Sequence, residues 1–398
     1  MSTKQVLSLF LILSVAILVG CKGKNWMNGG NDADSIALKP ATPQADSAIN
    51  RALRFYAGIS ADGINMSPAD AQGWEENSEE VKKYVEESMP TRQMVEDIAK
   101  EDFKDFRDAI DFVFYPFSGA DFIFPHTIFP NADIYFLLGT ESIGNPIGSK
   151  INTSFASYES YRNALATYFN FNHSLPTEDL NDAIDSEAAD GTCPVITMLM
   201  ALCDQQIVSI KFKDFDRTGN IIDAKQKQSN LIEIKFFRAG SKHEQTLYYF
   251  SGNVTDDRFP NPLQIYLDRN LKQHKVATYL KAASFLMHSS TFSFLRNHIL
   301  NNSLAVIEDD SGIPYRHFAN NFDVTLYGVY KKPSKELPPS WYQPDLEALY
   351  KERHDSIKAL PYRIGYTSPS NLLVARKKKS QPAPTKAVPP STAEGKKK

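Results

Sequence analysis

Cysteine is nearly absent from this chain: there are three in 398 residues, and only Cys193 and Cys203 lie beyond position 21. Two thiols are too few for a disulfide framework. A helix is expected around them, and ten residues of helix separate them by about 15 Å, beyond bridging distance. They read as buried free thiols, so the chain must be held by its core, for which 42% hydrophobic residues are ample. Long apolar runs are also missing. Spanning a membrane takes about 20 residues, and the only sustained run, 6–19, is shorter. Arg296, His298 and His317 have no carboxylate or thiol at ligand spacing, which excludes a zinc site. Gly-x-Ser-x-Gly is absent, because residue 116 is Pro. Excess positive charge is missing where a fold could use it. The formal net charge is −3, yet the tail 377–398 holds seven Lys against one Glu. The remainder is therefore strongly acidic, which excludes a nucleic-acid partner for it. There is no internal repeat.

What is present begins with an address. Lys4 supplies a positive start, 6–19 an apolar stretch, and Leu18-Val19-Gly20-Cys21 a small-residue cleavage site ending in cysteine. This pattern predicts a lipoprotein signal peptide over 1–20, with acyl chains on Cys21 anchoring the protein stably to a membrane. Lys22 follows, rather than the Asp that retains lipoproteins at the inner membrane, which favours the outer membrane, facing the periplasm or the surface. Residues 21–50, rich in Gly, Asn, Asp, Ser, Ala and Pro, read as a flexible tether, and 377–398 as a disordered Lys/Pro-rich tail.

The fold is expected between them. Residues 51–111 read as a helical N-terminal extension. It holds one helix ending before Pro90 and a second from Thr91 to Asp111, on whose stripe lie Met94, Ile98, Phe103, Phe106 and Ile110. From 112 to 376 short apolar runs alternate with amphipathic stretches. Phe112-Val113-Phe114-Tyr115 and Ile134-Tyr135-Phe136-Leu137-Leu138 do not alternate polar with apolar, the pattern of strands covered on both faces. Helices are expected at 153–171, 195–202, 263–286 and 291–302. Strands are expected at 207–210, 231–238, 245–251, 304–307, 324–330 and 371–376, with a hairpin turn at Ala239-Gly240-Ser241. The sum is a three-layer α/β domain.

Two resemblances follow. Tyr115-Pro116-Phe117-Ser118-Gly119-Ala120-Asp121, Phe129-Pro130-Asn131-Ala132-Asp133 and Leu138-Gly139-Thr140-Glu141 resemble a family of uncharacterised bacterial proteins, many of them lipoproteins. So do Thr246-Leu247-Tyr248-Tyr249-Phe250-Ser251, the run from Lys281 to His288, Asp309-Asp310-Ser311-Gly312-Ile313-Pro314 and the closing run from Asn371 to Arg376. That resemblance covers about 50–376 and implies no activity. The succession of strand 112–115, loop 116–121, strand 134–138 and Glu141 resembles the opening of class I methyltransferase-like Rossmann folds. The late strands resemble their ending. This implies a Rossmann-like fold in which the loop at Gly119 cups a cofactor and Glu141 bonds ribose hydroxyls. The loop departs from the glycine-rich pattern, having Gly119 alone, and the expected compartment holds little of the usual cofactor. The cofactor is therefore left open.

Candidate chemistry lies in three clusters, each after a proposed strand: Ser118, Asp121 and His126; Glu141; and Asp309, Asp310 and Ser311. Asp309-Asp310 suits a paired-carboxylate site, but Asp-Asp-Ser-Gly is equally good turn chemistry. Ser118 with His126 and Asp121 invites a hydrolase triad without its usual elbow. His288 reads as a capping or core histidine. The aromatic wealth of 112–136 suits a core or a pocket floor. Two functions follow as expectations. The first is a lipid-anchored envelope protein that binds a small ligand or protein partner through a degenerate Rossmann-like domain. The second is an envelope enzyme, methyltransferase-like or a hydrolase, using the Ser118/Asp121/Glu141/Asp309/Asp310 cleft.

Overall fold

A computed structural model describes residues 43–170, 190–226, 228–332, 338–366 and 368–378. The expected signal peptide, Cys21, the first part of the tether and the tail from 379 onward lie outside the described residues. The tether assignment is too long at its inner end, because the fold is under way by residue 46. Asp46 caps α1 (Ser47–Tyr56), its carboxylate accepting the amides of Ala48 and Ile49 at 3.1 and 3.0 Å. Asn50 then fastens α1 to the sheet. Its amide donates to the Ile207 carbonyl and its Oδ1 accepts the Ile207 N–H, both at 2.8 Å.

The next helix corrects the sequence reading. α2 (Pro68–Asp102) is one element that runs through Pro90 instead of ending before it. Ser67 caps it, with Pro68 in the first turn, where a missing N–H costs nothing. Pro90 removes the hydrogen bond to the carbonyl of Glu86, but Glu86 and Pro90 are both exposed, where that loss costs less than in the core. The helix stops at Asp102, well short of 111. Tyr327 Oη donates to Asp102 Oδ2 at 3.0 Å, and Arg376 donates to the Asp102 carbonyl at 2.6 Å. Arg376 and Lys358, which also pairs with Asp102, set positive charge at the helix's carboxyl end, where its dipole favours it.

The sheet has ten strands: β1 (Phe112–Pro116), β2 (Ile134–Gly139), β3 (Gln205–Phe215), β4 (Ile221–Asp223), β5 (Leu231–Arg238), β6 (Glu244–Ser251), β7 (Val276–Leu280), β8 (Ser303–Glu308), β9 (Phe322–Gly328) and β10 (Asn371–Lys377). Their order is β4-β3-β5-β6-β2-β1-β7-β8-β10-β9. The five central strands, β6-β2-β1-β7-β8, are parallel, with Phe112 opposite Ile134 on one side and Val276 on the other. β5, β3 and β4 extend one edge with antiparallel pairing. β10 runs antiparallel between β8 and β9.

Strand β7 is the largest departure from the sequence reading, which placed one helix over 263–286. The helix α6 (Asn261–Gln273) ends earlier, and Val276-Ala277-Thr278-Tyr279-Leu280 pairs beside β1 with every residue buried. The remaining helices are α3 (Ile123–Ile128), α4 (Phe155–Asn170), α5 (Thr192–Leu202), α7 (Ser293–Asn302) and α8 (Pro344–Glu352).

Two cores result, one on each face. In β1, Val113 and Tyr115 point to the core under α1 to α5, and Phe112 and Phe114 to the core under α6 to α8. The period of two in the strand sorts side chains between layers, and the molecule is an α/β structure of helices, sheet and helices. The chain leaves β1 through α3 on the first face to reach β2. It enters β7 through α6 on the second face. The gap between β1 and β7 is therefore where the winding reverses. Cys193 and Cys203 are free and buried, as expected. No helix among the described residues is long and apolar enough to cross a membrane.

Candidate functional site

At the carboxyl ends of β1, β2 and β7 the chain opens into a cleft of about 570 Å³, mouth included. Ser118, Gly119 and Asp121 enter it from the loop after β1, Glu141 from the end of β2, and Lys281, Ala282 and Ser284 from the loop after β7. Ligands of open α/β sheets bind at this edge and at this point of reversal.

Its floor is a buried ion pair. Lys281 Nζ lies 2.6 Å from Asp121 Oδ2, and both side chains are almost wholly buried. Asp121 is saturated: Tyr115 Oη donates to it at 3.1 Å, Tyr168 Oη at 2.8 Å and the Phe124 amide at 3.3 Å. Burial first, and then the Asp121 charge, holds the phenols of Tyr115 and Tyr168 far above their usual range, so both donate. Lys281 sits 4.0 Å above the ring of Phe124. Burial pulls its ammonium below the ordinary lysine value, while Asp121 and then Asp309 oppose that shift.

Glu141 is held from behind. Tyr249 Oη donates to its Oε2 at 3.2 Å and the Thr140 amide donates to the same oxygen at 3.1 Å. The residues after it are clamped by α5. That helix has no side-chain cap, and the amides of Thr192 and Cys193 donate instead to the carbonyls of Ser142 and Ile143 at 3.0 and 2.9 Å. Such an approach demands glycine. A Cβ on Gly191, whose φ is +82°, would lie 2.3 Å from the backbone of Gly144.

Backbone strain gathers on the two loops. Of the five non-glycine residues with positive φ among the described residues, four belong here: Phe117, Ala282, Ser284 and Phe285, at 51–59°. Each costs about 1–2 kcal/mol relative to a right-handed conformation. Such strain persists only where the surroundings enforce it, and it clusters at ligand sites. Phe117 answers the missing glycines. It adopts the left-handed conformation itself, and its ring packs edge-on against Phe292, 5.6 Å away, in the second core.

The third sequence cluster has a different job. Asp309, Asp310 and Ser311 are buried and do not line the cleft. Asp309 Oδ2 accepts the Ala282 amide at 3.3 Å, and Ser311 Oγ accepts the Ala283 amide at 2.7 Å. Asp309 Oδ1 in turn accepts the Ser311 hydroxyl at 2.6 Å. They are the bracket that keeps the loop after β7 in its left-handed path, with Tyr366 Oη donating to the Ala282 carbonyl at 2.7 Å from the other side. Asp310 turns its carbonyl to the Gln343 amide at 2.9 Å. Its carboxyl is pushed up to about 7 by burial, with the Asp309 charge adding to the shift.

His126 also leaves the expected cluster. It stacks on Phe122 with centroids 4.8 Å apart, inside the first core, and is absent from the cleft lining. Ser118 Oγ donates to the Gly119 carbonyl at 3.1 Å, so the Ser118–His126–Asp121 triad is not assembled. His288 Nδ1 meets the Ser340 carbonyl at 2.9 Å, a structural contact. Lys281, Tyr115 and Tyr168 are the cleft residues that sequence reasoning missed, as it missed Tyr249 behind Glu141. Lys281 was hidden because its strand was read as helix, though it stands at the head of the Lys281-to-His288 run. No group of three His, Cys, Asp or Glu side chains among the described residues is placed to hold a metal ion.

No family model, no curated protein and no solved structure matches this chain.

Proposed function

We propose that this protein is a lipid-anchored component of the bacterial cell envelope whose Rossmann-like, methyltransferase-like domain binds a small hydroxyl-bearing ligand of nucleoside type. The ligand is held between Glu141 and the loop after β1 and is not turned over. The order β6-β2-β1-β7-β8-β10-β9, with β10 alone reversed in that set, supports the fold reading. It is the strand order of the class I methyltransferase-like architecture that the sequence resembles.

One observation carries the binding role: the ionic chemistry of the cleft is already spent. Lys281 and Asp121 neutralise each other at the floor, and Ser118 has no base beside it. A serine nucleophile needs an activating base within hydrogen-bond reach, and Ser118 has none among the described residues. Glu141 is what remains to face a ligand. Tyr249 and the Thr140 amide fix its Oε2, while Oε1 meets only Thr140 Oγ1 at 3.5 Å, at the limit for a hydrogen bond. A fixed carboxylate with an open oxygen suits a pair of ligand hydroxyls. The cell-envelope address rests on the Leu-Val-Gly-Cys21 sequence and the membrane is the expected partner.

Thermal unfolding of the purified chain with adenosine, S-adenosylmethionine or 2′-deoxyadenosine tests this. A ligand bearing the vicinal hydroxyls, at one hundred times its dissociation constant, stabilises by about 2.7 kcal/mol. The gain should vanish in Glu141→Ala and shrink for the deoxy compound. No stabilisation by any of the three, or an equal gain in Glu141→Ala, overturns the reading. Release of S-adenosylhomocysteine on incubation would turn it into the enzyme alternative.

A further inference from the structure

A second cavity lies at the opposite edge of the sheet. Arg107 stands before β1, Pro130 before β2, Gln205 opens β3 and Arg238 closes β5, and all four line a groove against α2 of about 770 Å³, mouth included. This is the amino-end edge of the parallel strands, so it shares nothing with the cleft at Glu141.

The groove is polar, and some of its polar groups have no protein partner. The guanidinium groups of Arg92, half-buried on α2, and Arg238 make no ion pair and no hydrogen bond among the described residues. Arg107 is committed, donating to the carbonyls of Ile128 and Thr127 at 2.7 and 3.3 Å. The one acid of the lining, Glu96, is drawn to Lys100 at 2.7 Å. Two further polar atoms are buried without a partner: Thr127 Oγ1 and Gln205 Oε1, in residues only 7% and 2% exposed. Gln205, a residue of this lining, spends its amide on the Cys203 carbonyl at 2.8 Å, which leaves its oxygen as an unpaired acceptor. Buried polar groups are normally paired, and each orphan costs about 1–3 kcal/mol. Arg92 and Arg238 both act on the same buried imidazole. His126 is driven down to about 3, by burial first and then by these two charges. Both residues also line the one groove.

We propose that this groove is a separate binding site for a phosphate ester that carries a hydroxyl group. Two guanidinium groups on one groove suit a phosphate, whose terminal oxygens accept from arginine forks. Thr127 Oγ1 donates to a phosphate oxygen. Gln205 Oε1 accepts from the ligand hydroxyl, a role no bare anion fills. The same chemistry occurs in a soluble phosphate monoester and in the diester headgroup of a glycerophospholipid.

Titration calorimetry on the full chain separates these sources. The probes are glycerol 3-phosphate, glycerophosphoglycerol, inorganic phosphate and glycerol. A phosphate ester should bind at least tenfold more tightly than inorganic phosphate, and glycerol not at all. Preference for the monoester assigns a soluble metabolite, and preference for the diester assigns a lipid headgroup. Arg238→Gln and Arg92→Gln should each weaken ester binding tenfold or more, while Arg217→Gln, exposed on the β3–β4 turn, leaves it unchanged. Arg238 is exposed at the end of its strand, so its variant reads the site even where Arg92→Gln fails to fold. Absence of ester binding, or undiminished binding in Arg238→Gln, overturns the proposal.

Discussion

At the scale of single residues, the cleft depends on Lys281 and Asp121. Taking two charges out of water is expensive, and their attraction repays it only when the remaining hydrogen bonds are made. Asp121 meets that condition with two tyrosines and a backbone amide. Removing one partner strands the other. Asp121→Asn should therefore cost about 3–5 kcal/mol in urea unfolding. Lys281→Met should cost less, because Asp121 keeps its three other donors. In Asp121→Asn/Lys281→Met the loss should fall below the sum of the two single losses, since the uncompensated charge is gone. Strict additivity in that cycle would mean the pair is not coupled. Asp121 was legible in the sequence as a polar residue after the first strand. Its partner was not, since 160 residues separate them and no spacing rule spans such a distance.

At the scale of elements, α2 and β7 show where pattern reasoning breaks. Proline inside a helix costs about 3 kcal/mol relative to alanine, which argues for a stop at Pro90. The tertiary structure overrides it. Val81 and Trp74 before the proline and Val95 and Ala99 after it are all buried in one core, so both halves are held in line. Pro90→Ala should restore the hydrogen bond to Glu86 and raise stability by up to about 3 kcal/mol, read as a higher urea midpoint with unchanged slope. A loss of stability would show that the helix is adapted to its proline. β7 fails for the opposite reason. Leu263, Leu267 and Leu271 set a helical period that runs toward it, and a five-residue strand buried on both faces has no alternation to break that period. β1 and β2 were readable because Pro116 and Gly139 end their runs.

At the scale of the whole molecule, the proposed lipid anchor at Cys21 is tested apart from the fold. Among the described residues, the cores draw on residues from Ile49 onward. Cys21→Ser should therefore leave the melting temperature unchanged while abolishing incorporation of an alkyne-labelled palmitate and releasing the protein from the membrane fraction. Label retained in that variant would place the acyl group elsewhere. The sequence by itself determined whatever is written locally: the α/β alternation, the buried runs of β1 and β2, the hairpin of β5 and β6, and Ser118, Gly119, Asp121 and Glu141 as cleft residues. Each depends on neighbours within a few positions, through periodicity, turn chemistry or a strand end. Only the tertiary structure decided that Lys281 closes the cleft floor, that Asp309 and Ser311 brace a loop, that His126 belongs to the core, and that Phe117 takes a glycine's conformation. Those roles come from packing between β1, β7 and β8, where residues far apart in the chain share one low-dielectric space, and there the cost of an unpaired buried group settles what touches what.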